Sequence, residues 1–365
     1  MDDASRLYLS GMGMINALGG SAPMVWAAAG AGINRYTLSR FVDDNGDPIR
    51  LAPVPDAVFD QPGWEIDEGD QYSEPQDHAI KMALHALAQI TEQGALPAQA
   101  PLVLAMNEPE LEADCLPLDK LKANLALSGH AWLNPELLRS LHSGRAAGIE
   151  AMEFAYDYLA DVYPDGMVIG ASDSPNNYTR LRVPEQQNRL MTLGPTDGYV
   201  PGEGAAFIVL TAEPRKAMVE DGKVLVVHPP GLAQEPGDWF SDEPYLGEGL
   251  DAAFKAVLEH YAGPPIHSIY SSMNGERYWA KEYGVAMIRS QKRLGDAHLV
   301  HPAEYYGDLG SATAPSLMAL AAFDLLNNPN ADAHLVYSSS DTGLRGALIL
   351  EKRDLARERT EGGAI

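Results

Sequence analysis

Basic residues are scarce in this chain and cysteine is almost absent. Lysine and arginine number 26 against 51 aspartates and glutamates, which gives a formal net charge of -25. A nucleic-acid binder needs a basic footprint, and such a surface repels phosphates instead. It also repels anionic membranes and acidic carrier proteins unless its charge is locally reversed. Acidity of this kind suits a soluble cytoplasmic protein. The single cysteine, Cys115, excludes an intrachain disulfide. No apolar run approaches the length of a membrane span. The acidic opening "MDDASRLYLSGMG" lacks the basic region that starts a signal peptide. Neither metal nor cofactor is expected. His298 and His301 stand three apart on an expected strand, but without a carboxylate cluster. "GDLGSAT" lacks the strand and lysine of a phosphate-binding loop.

What is present is ordinary globular material. The 365 residues are 45% hydrophobic and 21% charged, enough for one large core or two fused halves. A strand is expected over Leu7–Ser10, ending in a glycine turn, with a short helix in "APMVWAAAGAG". Residues 40–77, acidic and rich in Pro, Gly and Asp, read as a surface excursion. "DHAIKMALHALAQITEQG" carries Ile80, Met82, Leu84, Leu87 and Ile90, a buried helix closed by Gly94. The strand "APLVLAMNE", a helix over 146–162 and the strand "GMVIGASDS" follow. The later part of the chain repeats this alternation of helix and strand, to "APSLMALAAFDLLNN" with Pro315 early and "AHLVYSSSDTGLRGALILEK".

An internal repeat is visible. "YDYLADVYPDGMVIGASDS" and "FDLLNNPNADAHLVYSSSDT" each run from a helix end through an apolar strand to small hydroxyl residues and an aspartate. Asp173 and Asp341 take matching places, and "GEGAAFIVL" and "GLRGALILE" are the matching return strands. The boundary between the halves is expected at 211/212, giving 1–211 and 212–365.

Two segments resemble a known family. "GMGMINALGGSAPMVWAAAGAG" is similar to the opening of the β-ketoacyl synthases, and "DGYVPGEGAAFIVL" resembles their Gly-Glu-Gly-Ala approach to a core strand. "YYGDLGSATAPSLMALAAFDLL" resembles their Gly-His-x-x-Gly-Ala element. The resemblance implies an α/β thiolase-like fold of two pseudo-symmetric halves in five alternating αβαβα layers, usually as a dimer. It also implies a cysteine nucleophile at a helix N-terminus, where the dipole favours negative charge, and two histidines that stabilise an enolate.

The residues at those positions differ. In "HSGRAAGIEA" Arg145 stands at the nucleophile's place, and arginine carries no nucleophile. Asn274 and Asp308 replace the two histidines, Ala303 replaces a lysine, and "SSSDTGLRG" replaces a Phe-Gly-Phe-Gly loop. Cys115 lies outside any such pattern and reads as structural; His301 reads as a strand-end residue. No catalytic residue is therefore assigned.

Three arrangements are open for Arg145. It pairs with Asp308 and plugs the former site with help from Asn274, or it holds an anionic group of a ligand, or it is a solvated helix residue. Ser143 reads as the N-cap of the following helix. The functional expectation is a ketosynthase-like protein without catalysis, acting as a binding, scaffold or accessory subunit. It would be a homodimer, or a heterodimer with a thiolase-fold or other protein partner. The alternative is a thioester-directed enzyme, a decarboxylase, hydrolase or altered acyltransferase, on acyl-carrier or coenzyme A substrates.

Overall fold

The structure is a computed structural model and describes residues 6–59, 73–94, 96–109, 116–159, 162–163, 165–193, 197–259 and 261–361. The first part comprises β1 (Leu7–Asn16), α1 (Ala22–Gly30), β2 (Thr37–Val42), β3 (Pro48–Leu51), α2 (Asp56–Phe59), α3 (Glu74–Gln93), β4 (Ala100–Ala105), α4 (Leu118–Leu127), β5 (Leu133–Leu141), α5 (Ala147–Tyr158), β6 (Met167–Asp173), α6 (Tyr178–Gln186) and β7 (Gly204–Thr211). The second comprises β8 (Lys223–Val227), β9 (Gly231–Gln234), α7 (Glu248–Glu259), β10 (Ser268–Ser271), α8 (Arg277–Leu294), β11 (His298–Val300), α9 (Ala303–Tyr306), α10 (Thr313–Asn327), β12 (Ala333–Ser339), β13 (Leu344–Asp354) and α11 (Leu355–Glu361).

The two parts wind their strands alike. The first runs β5-β4-β6-β7-β1 and the second β11-β10-β12-β13-β8. In each, the first three strands pair in parallel and the last two join antiparallel. Among the described residues the sheets meet through two residue pairs, Leu7 with Val227 and Tyr8 with Val226. Buried helices α5 and α10 share one core with strands of both sheets, including Met14, Ile169, Val336 and Leu348. Outside the first sheet, α3 and α4 close a second core around Ile80, Leu87 and Phe207; outside the second, α7 and α8 close a third around Phe254, Ile269 and Tyr337. This makes a thiolase-like stack of five alternating layers.

Sequence pattern explains the layers. Helix α10 is apolar nearly all round, as a helix covered on every side must be. Helix α3 begins where Gln76 Oε1 accepts from the Ser73 amide at 3.2 Å, and it buries one face, ending at Gly94 with φ +111°. Strand β1 does not stop at Ser10 but continues to Asn16. Its glycines serve helix packing rather than a turn: a Cβ on Gly13 would lie 1.9 Å from the Ala86 carbonyl oxygen of α3. The turn comes later, where Asn16 and Gly19 exchange backbone hydrogen bonds.

The acidic excursion contains a hairpin, β2–β3, because Ile49 and Leu51 pack on Leu181 and Leu190; residues 60–72 of it lie outside the described set. Strand β5 and helix α6 were not expected: each carries a proline, Pro135 and Pro184, tolerated at a sheet edge and in a short surface helix. No helix among the described residues is long and apolar enough to cross a membrane.

Where α5 crosses α10, Gly148 leaves no space: a Cβ there would lie 2.6 Å from Pro315 Cδ. Gly148→Val should therefore destabilise the chain by at least about 2 kcal/mol in urea unfolding. Gly284→Ala, in α8 with nothing within 4 Å of the added atom, should stabilise it by about 0.5–1 kcal/mol.

Candidate functional site

The two buried helices begin alike. A 3-10 turn, Gly144–Ala146, leads into α5, and another, Gly310–Ala312, leads into α10. Both glycines have positive φ, +70° and +54°. A side chain at either would strike a carboxylate: Glu108 at 2.1 Å from a Gly144 Cβ, Asp173 at 2.0 Å from a Gly310 Cβ. Each helix head is tied to the strand ends around it. Asp173 Oδ2 accepts from the Ser311 amide at 3.2 Å, and Ser340 Oγ accepts from the Ala146 amide at 2.9 Å.

Arg145 stands at the head of α5 and is 6% exposed. A cation there opposes the helix dipole, so it needs partners. Its Nη1 donates to Asp308 Oδ2 at 2.8 Å and its Nη2 to Asp341 Oδ1 at 2.6 Å. Asp341 also accepts from Arg189 Nη1 at 2.5 Å, and Arg189 forks onto Glu276 through Nε at 2.7 Å and Nη2 at 2.9 Å. Asn274 Nδ2 donates to both Asp308 Oδ2 (2.8 Å) and Glu276 Oε2 (3.0 Å). The remaining lone pairs are used too. Asp308 Oδ1 accepts from the Gly310 amide, and Glu276 Oε2 from the Trp279 indole. The two guanidinium planes lie over indoles, Arg145 4.2 Å from the Trp279 centroid and Arg189 3.9 Å from that of Trp239.

The charges do not balance. Glu108, Asp173, Glu276, Asp308 and Asp341 face Arg145, Arg180 and Arg189, so carboxylates are in excess. Burial opposes the charge on Arg145 and Arg189, but Asp308, Asp341 and Glu276 outweigh it and hold both guanidiniums above their ordinary values. Burial likewise opposes ionisation of Asp341, yet Arg145 and Arg189 keep it below the usual carboxylate range. The surplus falls on Glu108. Burial and the neighbouring negative Asp341 push it up to about 7.

The cavity bounded by these groups measures about 60 Å³. It has room for a few ordered waters and is far below the roughly 300–1,000 Å³ of small-molecule pockets.

No protein-family model and no curated protein matches the sequence. Solved structures do match. The ishigamide ketosynthase/chain length factor superposes with a TM-score of 0.73 at 16% identity, over 95% of this chain and 98% of that one. A β-ketoacyl synthase from Burkholderia phymatum gives 0.69 at 16% identity, over 95% and 99%. The ketosynthase from module 6 of the Bacillus subtilis bacillaene synthase gives 0.73 at 11% identity, over 95% and 72%. The fold is that of the ketosynthases.

Within this ketosynthase fold, Arg145, Asn274 and Asp308 converge, and the expected Arg145–Asp308 contact is present. The "SSSDTGLRG" segment clamps the arginine's turn: Ser338 Oγ donates to the Arg145 carbonyl at 2.8 Å, beside the Ser340 cap and Asp341. Ser143 is not the cap. Its hydroxyl donates to Glu150, and Ser340 serves the helix head instead. Asp341 is also not the counterpart of Asp173; by its contact with the opposite helix head, that place belongs to Ser340. His298 and His301 line a different cavity, Ala303 opens α9, and Cys115 lies outside the described residues. Among the described residues no group of His, Cys, Asp and Glu is placed to hold a metal. Sequence reasoning missed Arg189, Glu276, Glu108 and the two tryptophans; only Glu276, two positions after Asn274 in "NGE", lay beside a residue it had singled out.

Glu108 binds its proton more tightly in the folded chain than in the unfolded one, where 4.5 applies. Its stabilising contribution is fully present below pH 4.5 and is lost as pH rises through about 7. Glu108→Gln removes the titration. Its stability relative to wild type should rise by roughly 3 kcal/mol from the acid to the alkaline side of this window. Urea unfolding across the window checks this, and a pH-independent difference would contradict it.

Proposed function

We propose that this chain is a ketosynthase-like protein without condensing activity, acting as a binding, scaffold or accessory subunit. The observation that carries the reading is the buried cluster of Arg145, Asp308, Asn274, Asp341, Glu276 and Arg189 at the heads of the two central helices. Arg145 stands where the family resemblance puts the nucleophile, and a guanidinium supplies neither a nucleophile nor a titratable proton. Asn274 and Asp308 stand where it puts the two histidines. An ionised Asp308 opposes the negative charge that an enolate would develop there. The remaining space admits water but no acyl chain.

A protein partner fits this reading. The structural neighbours include a ketosynthase, ApeO, in complex with its chain length factor, ApeC, from Xenorhabdus doucetiae, at 15% identity. This chain would likewise pair with a thiolase-fold or other protein, or with a second copy of itself. The thioester-directed enzyme has one observation in its favour. Glu108 borders the small cavity with a pKa of about 7, a value suited to proton transfer.

Incubation with acetyl and malonyl thioesters separates the two. Intact-mass and small-molecule mass spectrometry should find no acyl adduct on the protein and no decarboxylated product above background. Turnover that disappears in Asn274→Ala or Glu108→Gln would support the enzyme instead.

A further inference from the structure

A second cavity, about 510 Å³, opens between α1, α10 and the strands β10 and β11, away from the ionic cluster. Its volume lies within the roughly 300–1,000 Å³ typical of small-molecule sites. Its walls are aromatic: Trp26 from α1, Tyr270 from β10 and Tyr305 from α9. Its floor is a carboxylate, Asp324 of α10, and Glu304 stands exposed at the rim. No lysine or arginine is among the described residues that line it. We propose that this cavity binds a small organic cation, an aromatic or quaternary ammonium.

The site is built before any ligand arrives. The Trp26 indole donates to Asp324 Oδ1 at 3.2 Å and meets Phe323 edge-on at 5.7 Å, so its ring is fixed from two sides. His334, fully buried, holds Asp324 Oδ2 at 2.7 Å. Burial opposes ionisation of Asp324, but His334, Trp26 and Tyr270 together outweigh it and keep the carboxyl below its ordinary value. The floor is therefore an ionised carboxylate held in place by the His334 ring. Residues of the first part brace α9: the Arg35 amide donates to the Tyr305 carbonyl at 3.0 Å. His301 Nδ1 is buried without a partner, while its Nε2 lies 3.6 Å from Glu304.

Aromatic faces above a carboxylate attract a cation through the ring quadrupole and through direct charge. With the three lining histidines, His267, His298 and His301, neutral, the same arrangement rejects phosphates and carboxylates. The site thus selects against polyanionic thioester carriers, and it stands whether or not the ionic cluster is catalytic.

Isothermal titration of the full chain with benzyltrimethylammonium tests this, with phenylmalonate as the anionic control. The cation should bind with a Kd below about 1 mM and the anion should give no heat. Trp26→Ala and, independently, the surface variant Glu304→Lys should each weaken the cation by about tenfold or more, with circular dichroism unchanged. The proposal is overturned if no cation binding appears up to about 10 mM. It is equally overturned if the anion binds as well as the cation, or if a folded Glu304→Lys chain binds the cation as wild type does.

Discussion

A buried guanidinium at the head of a central helix is the constraint around which this molecule is arranged. Arg145 has the helix dipole against it and little water to solvate it. It persists because Asp308 and Asp341 arrive from separate loops of the second part of the chain, and because Trp279 lies against its face. Those partners need partners of their own. Asp341 draws in Arg189, Arg189 draws in Glu276, and Asn274 joins Glu276 to Asp308. Satisfying one charge therefore fixes residues from β5–α5, α6–β7, β10–α8, α9–α10 and β12–β13, and it fastens the two similar sheets where their helices meet.

Such a cluster is weak evidence for stability, since well-packed apolar residues of similar volume often do as well or better. What it supplies is a single arrangement. A fully satisfied polar network in a low-dielectric interior permits few alternatives. It leaves a cavity of only about 60 Å³ among these groups, and it pushes the Glu108 carboxyl up to about 7. A shared fold does not carry the chemistry with it. The excess of carboxylates over guanidiniums is a property of the cluster itself, and it makes this part of the core sensitive to pH in a way that an apolar plug would not be.

Much of the frame was legible in the sequence. Helix periodicity marked α3, an apolar run with an early proline marked α10, and the paired motifs marked the repeat that the strand order displays, although Asp173 was matched there with Asp341. Glycine was read less well. Gly11 and Gly13 looked like a turn, but they lie inside β1, where α3 presses a carbonyl against the strand. The contact of Arg145 with Asp308, 163 positions apart, was reached through family resemblance, because nothing in local spacing joins them. Arg189 and Glu276 had no such guide. They come from irregular segments with no periodic signal, and which carboxylate a loop arginine meets is decided by tertiary packing. The Ser143 cap failed for a related reason: Ser340, from a distant strand end, reaches the same helix head.

The most direct test of this account is a double-mutant cycle on Arg145→Met and Asp308→Ala, followed by urea unfolding. A buried, hydrogen-bonded pair predicts that each single change costs about 3–5 kcal/mol by leaving a charge without its partner, with a coupling energy of at least about 2 kcal/mol. Single changes and a coupling both within about 0.5 kcal/mol would describe a solvated surface pair and would contradict the account.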